Sequence, residues 1–202
     1  RPGLVPLVVE ESWVSELQGL SLRNVRATAW SSKGKKINED FGEMLFTHFG
    51  VSGPIILSMS RDIGEELLRQ EKVRLALDLK PALNEETLDQ RLQRDLALYS
   101  RRQFRNSLDD LLPRKLIPLM VRLSGIDPQK ESNQVSRQER KKLLQLIKRF
   151  ELTVLATRPI DEAIVTAGGV DVKEVDPRTM QSRLVKDLFF AGEILDIDGY
   201  TG

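Results

Sequence analysis

The sequence has no cysteine and a single histidine. The first absence excludes disulfides and thiolate metal sites, and it suits a reducing compartment, so a cytoplasmic location is expected. One histidine leaves too few ligands for an ordinary transition-metal centre, and no metal site is expected. Aromatic residues make up 5% of the chain, so the core must rest on Leu, Ile and Val. No apolar run approaches the roughly 20 residues that span a bilayer, and no membrane contact is expected. No signal peptide is visible. The glycine-rich turn G-x-G-x-x-G is also missing: Gly50, Gly53 and the Gly168-Gly169 pair lack its spacing. Without that turn and the helix behind it, a dinucleotide pyrophosphate has no seat.

What is present fits a soluble globular chain. The 202 residues are 40% apolar and 30% charged. The net charge of +1 hides an asymmetry. From Asn84 to Phe150 there are 15 Lys and Arg against 9 Asp and Glu, a surplus of six positive charges. The remainder carries 16 against 21 and is negative by five.

Hydrophobic periodicity divides the chain. Residues 4 to 9 favour a strand, with Pro6 arguing for an edge. Trp13 to Leu17 suggest a helical turn. Val25, Ala27 and Ala29 alternate with Arg26, Thr28 and Trp30, as in a strand with one buried face. A turn over Ser31 to Lys35 predicts a hairpin with a strand from Lys36. Another strand is expected over Phe41 to Thr47. Pro54 can open a helix through Ile55, Ile56, Leu57 and Met59. Val73, Leu75, Leu77 and Leu79 alternate again. The period then changes. Asn84 caps a helix carrying Leu88, Leu92, Leu96 and Tyr99. A second helix is expected from about Arg114 to Leu123, ended by Gly125 and Pro128. Ser136 and Glu139 have capping-box spacing ahead of Leu143, Leu144 and Ile147. After Phe150 strand character returns, with Leu152, Val154 and Ala156, then Ile164 and Val165, then Val170 and Val172. The helical block reads as an insertion between strands.

The last sixteen residues carry the most chemistry. Leu188 to Ala191 reads as a buried strand. It runs into Gly192, then Glu193, and Asp196, Asp198 and Gly199 follow. A glycine at a strand end lets backbone approach a ligand, and a carboxylate binds hydroxyls. The chain stops inside this loop, so we read it as a piece of a larger protein, cut within a binding site.

Four stretches together resemble one family. They are Arg1 to Leu7, Gly42 to Pro54, Ala163 to Val170 with Met180 to Arg183, and Leu188 to Gly199. In this order they are similar to the YhiN/BaiN type of bacterial FAD flavoproteins, also called aminoacetone-oxidase-like, which are NAD(P)/FAD-dependent oxidoreductases. The resemblance implies an α+β fold. A β-barrel subdomain would occupy 1–80 and 151–185, and an all-helical subdomain 81–150 would be inserted in it. Residues 186–202 would begin the C-terminal FAD-binding segment. It further implies that the FAD domain flanks this chain on both sides. FAD would then belong to the parent protein, not to this chain alone, with NAD(P)H as candidate electron donor. The module would cap the flavin and shape a pocket for a small or ring-type substrate.

By the same resemblance, Glu193 lies near the flavin ribitol; the plainer reading is a solvent-facing loop acid. Gly192, Asp196, Asp198, Gly199, Thr201 and Gly202 would complete the cofactor side, against an ordinary turn at Asp198-Gly199. Thr47, His48 and Ser52, among the glycines at 50 and 53, form a candidate substrate-side loop, and His48 is a candidate catalytic group because histidine titrates near neutrality. The plainer reading is a strand-to-helix connection in which Ser52 caps the helix opened by Pro54. Gly168 and Gly169 either face the flavin or make a turn. Arg158 either meets substrate or forms a rim salt bridge. A second function class comes from the basic helical half. Arg101, Arg102 and Arg105, with Tyr99 and Phe104, have the composition to contact RNA phosphates and stack on bases, though such a run is most often a solvated face.

Overall fold

The computed structural model describes residues 2–69 and 72–197. Eight strands and four α-helices are formed among them: β1 (Pro2–Gly3), β2 (Leu7–Val9), β3 (Ser21–Trp30), β4 (Lys36–Phe46), β5 (Gly50–Ser52), α1 (Pro54–Leu67), β6 (Val73–Asp78), α2 (Glu85–Leu98), α3 (Ile117–Ser124), α4 (Arg137–Lys148), β7 (Phe150–Thr157) and β8 (Val165–Thr166). Six strands close into a barrel in the order β2-β5-β4-β3-β6-β7, so the fold is α+β with a closed barrel. The hairpin expected at Ser31 to Lys35 joins β3 to β4, with the Ser31 amide donating to the Lys35 carbonyl at 2.8 Å. The two strands expected after that turn are one continuous strand, β4.

Alternation fills the barrel. Val25, Ala27 and Ala29 of β3 point inward, as do Val73, Leu75 and Leu77 of β6 and Leu152 and Val154 of β7. Small faces large across the ladder: Ala27 pairs with Leu77, and Ala29 with Leu75. Phe150 closes one region of this core. Its ring stands edge-on to Trp13 at 5.3 Å and to Phe46 at 6.5 Å. Each buried aromatic or aliphatic side chain of this kind contributes about 2 to 3 kcal/mol. The first expected strand is shorter than its hydrophobic run. Leu4 adopts φ 48, which interrupts extended backbone, and the Val5 amide turns to the buried Ser60 hydroxyl of α1 at 3.1 Å.

α1 packs across β4 and also touches β1, β5 and β7. It begins as expected at Pro54, but Ser52 does not cap it. The cap is Gly53, at φ 92, and no side chain bonds the helix end. An added Cβ at Gly53 would meet the Leu45 amide nitrogen and the Met44 Cα at 2.9 Å, so the chain passes too close to β4 for any other residue. This crowding also explains why a glycine, not the serine, stands at the helix start.

The helical insertion joins β6 to β7. Asn84 caps α2 and accepts from the Thr87 amide, and Ser136 and Glu139 form the expected capping box on α4. The middle helix starts later than expected, at Ile117, because residues 113 to 116 form tight turns, with Leu116 donating to Pro113. Gly125 ends it at φ 68. α4 is fastened to the barrel through Lys148, which meets the Asp78 carboxylate at 2.6 Å and the Leu83 carbonyl at 2.7 Å. Burial lowers the pKa of the neighbouring Lys80, and the positive charge of Arg91 adds to the effect. The buried Asp95 carboxylate is compensated by Arg91 at 2.6 Å and Arg94 at 3.3 Å. One continuous cluster of buried side chains runs from the barrel into α2, α3 and α4.

After β7 the chain leaves the barrel. Residues 158–185, grouped with the barrel on sequence, supply no barrel strand; β8 pairs only with β1. Val170 and Val172 are not in a strand either. Val170 makes a single bridge and Val172 opens a short 3-10 turn. The expectation of a buried strand at Leu188 to Ala191 is overturned. Leu188 is 41% and Phe189 58% exposed, and the segment makes one bridge, from Phe189 to Gln181. A strand needs a ladder partner and an apolar layer, and no sheet of the described residues lies beside it. Nine of the fourteen exposed large hydrophobics of the described residues fall between Ile160 and Ile197. No helix among the described residues is long and apolar enough to cross a membrane.

Candidate functional site

Two glycine-bearing segments that are far apart in sequence lie side by side. The Val170 amide donates to the Ile194 carbonyl at 2.8 Å, and the Asp196 amide donates to the Val170 carbonyl at 3.0 Å. Gly169 permits this approach. A Cβ there would stand 2.3 Å from the Ile194 oxygen. Gly192, at φ 74, opens the 3-10 turn that presents Glu193, and the buried Leu195 anchors the turn's far end. Glu193 is exposed, and its side chain makes no hydrogen bond or ion pair with the described residues. No acceptor among them takes the backbone N–H of Gly168, Gly169, Gly192 or Glu193. Free N–H groups next to a carboxylate can bind a ligand that both accepts and donates hydrogen bonds.

These segments border a cleft of about 850 Å³, walled by the second half of α1, the end of β7 and the β1–β8 pair. Gly168, Gly169 and Asp196 line it, so the structure brings these three expected residues together. Sequence reasoning missed Arg61, Glu65, Thr157 and Thr166, which also line it. One signal was available. Arg61 and Glu65 have helical i,i+4 spacing, and they form an ion pair at 3.7 Å. Gly64, between them, packs toward Thr157, whose methyl would lie in ordinary contact, 3.4 Å from an added Cβ. Among the described residues no group of His, Asp or Glu is arranged to hold a metal ion. Asp198, Gly199, Thr201 and Gly202 lie outside the described residues.

The loop of His48 belongs to a different cluster. Thr47 is committed to the β4–β5 turn: its amide donates to the Gly50 carbonyl at 2.9 Å, and its hydroxyl accepts from the Gly50 amide at 3.1 Å. Ser52 sits in β5 opposite Leu45. His48 is exposed, and its ring lies edge-on to Phe49 at 4.9 Å. The Arg158 guanidinium stacks over the other ring at 4.5 Å from the Phe49 centroid. Arg158 also bonds Glu162 through both Nε and a terminal nitrogen. The rim salt bridge is therefore the reading that the geometry supports for Arg158. The Arg158 bond holds the Glu162 carboxyl below its ordinary range, and the charge of His48 adds to this. None of Thr47, His48 and Ser52 lines the cleft. The two regions are joined along the backbone, since Thr157 borders the cleft and Arg158 the cluster.

In the helical half, base stacking on Phe104 is overturned. Phe104 is fully buried in the shared core. The Tyr99 ring is covered by Arg102 at 4.3 Å, and its hydroxyl bonds Asp110. That bond raises the Tyr99 pKa. Arg101 and Arg105 remain exposed, with no side-chain partner among the described residues.

Comparison with known proteins agrees with this architecture. Residues 1–165 match the model of the HI0933-like protein barrel and H2TH domain. A ribosomal RNA dihydrouridine synthase of Haemophilus influenzae is 33% identical over 205 residues, covering all of this chain and 47% of that protein. A 3-dehydro-bile acid delta(4,6)-reductase of Clostridium scindens is 29% identical over 202 residues, covering all of this chain and 49% of that protein. A ribosomal RNA dihydrouridine synthase of Escherichia coli is 29% identical over the same length, with 47% of its own chain covered. The chain spans about half the length of the curated relatives it matches. With a closed barrel, a helical insertion and a match over most of its residues, the chain belongs to the HI0933-like family, the one its four sequence stretches resemble.

Proposed function

We propose that this chain is the substrate-pocket and flavin-capping module of an FAD-dependent oxidoreductase, and that by itself it is inactive. The observation that carries the reading is the pairing of the Gly168 to Val170 segment with the Gly192 to Asp196 segment beside a cleft. Their free N–H groups suit the acceptor-rich edge of a flavin, and the exposed Glu193 carboxylate suits its ribityl hydroxyls. FAD, when bound, supplies hydride transfer. The residues here hold and orient it, and the cleft wall of α1 positions the substrate. The apolar side chains exposed between Ile160 and Ile197 suit burial against the flanking FAD-binding domain. The relatives' names point to reduction of an unsaturated ring in those proteins. NAD(P)H is the electron source this reading assigns. His48 is kept as a substrate-side candidate.

The full-length protein tests this directly. It should purify yellow, and NAD(P)H should bleach it under anaerobic conditions. Glu193→Gln should release flavin on desalting; unchanged flavin retention would remove the ribityl role.

A second reading, that the basic helical module binds RNA, is favoured by a specific observation. Arg101, Arg105, Lys141 and Lys142 are exposed cations with no carboxylate partner among the described residues. The two readings are compatible if the reduced ring is a nucleobase, as the names of the two ribosomal RNA relatives indicate for those proteins. Replacing Arg101, Arg102 and Arg105 by Ala should weaken RNA binding and its salt dependence.

A further inference from the structure

A shallow groove of about 830 Å³ lies where α3 and α4 meet the barrel wall formed by β6 and β7. Arg74, Lys141, Lys142 and Arg149 line it. Against these four cations stands one carboxylate. Glu151 meets Arg149 at 2.8 Å and Arg74 at 3.7 Å. Lys141 and Lys142 have no side-chain partner among the described residues. Leu123, 40% exposed, gives the groove an apolar element.

We infer that this groove seats the phosphate backbone of an RNA substrate, an inference that rests on the RNA reading above and locates it. Neither the sequence motifs nor the relatives' names point to these residues. The reasons are charge and spacing. Lys141 to Arg149 covers roughly 12 Å at the α-helical rise. A nucleic-acid strand carries one negative charge per nucleotide, so more than one phosphate falls within that length. The single carboxylate leaves a net positive track that a phosphodiester chain neutralises along its length. Arg137 stands one turn before Lys141 on the same helix. The arginine loop is held at the approach to α4, because the Arg102 carbonyl accepts from both the amide and the hydroxyl of Ser132 at 2.9 Å.

The test uses the full-length protein and a fluorescein-labelled RNA hairpin of about 30 nucleotides, titrated across a range of salt. Lys141→Ala, Lys142→Ala and Arg149→Ala are combined. A control combines Arg23→Ala, Lys33→Ala and Lys35→Ala, which removes equal charge from the β3–β4 side of the barrel. The groove variant should bind about 10- to 100-fold more weakly, and its log-log salt slope should shrink by about 2 to 3. The control should change far less. A Lys141→Arg, Lys142→Arg variant should keep wild-type binding, which separates charge loss from misfolding. Equal weakening in groove variant and control, or an unchanged slope, overturns the placement. If the wild type binds no hairpin, the RNA reading itself falls; binding of an acidic protein in place of RNA would likewise overturn the inference. Flavin content and NAD(P)H bleaching of each variant keep failure of the oxidoreductase reading separate.

Discussion

The Cα of Gly169 faces the carbonyl oxygen of Ile194 so closely that an added Cβ would stand 2.3 Å from it. Two segments separated by more than twenty residues are held together by this contact and by the backbone bonds beside it.

Gly169→Ala should therefore push Ile194 to Asp196 away from Val170. The expected cost is about 1 to 3 kcal/mol of overfilling strain. Amide exchange at Val170 and Asp196 should accelerate, and the full-length protein should lose flavin. Gly168→Ala is the comparison. Nothing lies within 4 Å of its added Cβ, but its φ of 98 strains any side chain. It should destabilise by about 1 to 2 kcal/mol while leaving the Asp196 amide protected. Equal exchange in the two variants would deny the contact its organising role.

Phe150 should be the most costly single truncation in the barrel. It is 1% exposed and sits edge-on to both Trp13 and Phe46. Phe150→Ala should cost about 3 to 5 kcal/mol in urea unfolding. Because one core cluster joins barrel and helices, a single transition is expected for both. Two separated transitions would show that the helical insertion folds by itself.

Acid should weaken α4's N-terminal anchorage through Glu139. A hydrogen bond from Lys130, followed by the Ser136 amide, holds its carboxyl at about 2 against an ordinary 4.5. The folded value is depressed, so the stabilisation is fully present above pH 4.5. It disappears as pH falls from 4.5 towards 2. Glu139→Gln should flatten the stability profile across that window. Some slope should persist, because Asp89 is also held below its ordinary range, chiefly by its bond from Arg140. A profile identical to wild type would exclude Glu139 as a contributor.

Local pattern made much of this legible beforehand. The alternation around Val25 and Leu75 predicted strands, and the stripe of Leu88, Leu92 and Leu96 predicted a helix, because backbone periodicity alone determines which side chains share a face. The Asn84 cap and the Ser136–Glu139 box were readable for the same reason, since their partners lie three residues away. Leu188 to Ala191 misled, because an apolar run does not reveal whether a sheet waits beside it. Phe104 misled in the opposite sense, since its basic neighbours gave no sign of its burial.

The amino-acid order thus determined the main alternating strands, the amphipathic helices α2 and α4 with their caps, and where charge accumulates. Tertiary structure alone decided that β2 meets β7 to close the barrel, that Arg61, Thr157 and Gly169 line one cleft, and that Lys142 and Arg74 share a groove. Those pairings depend on register and packing between distant segments, and the free energy that selects them belongs to the shared core and to no single stretch of residues.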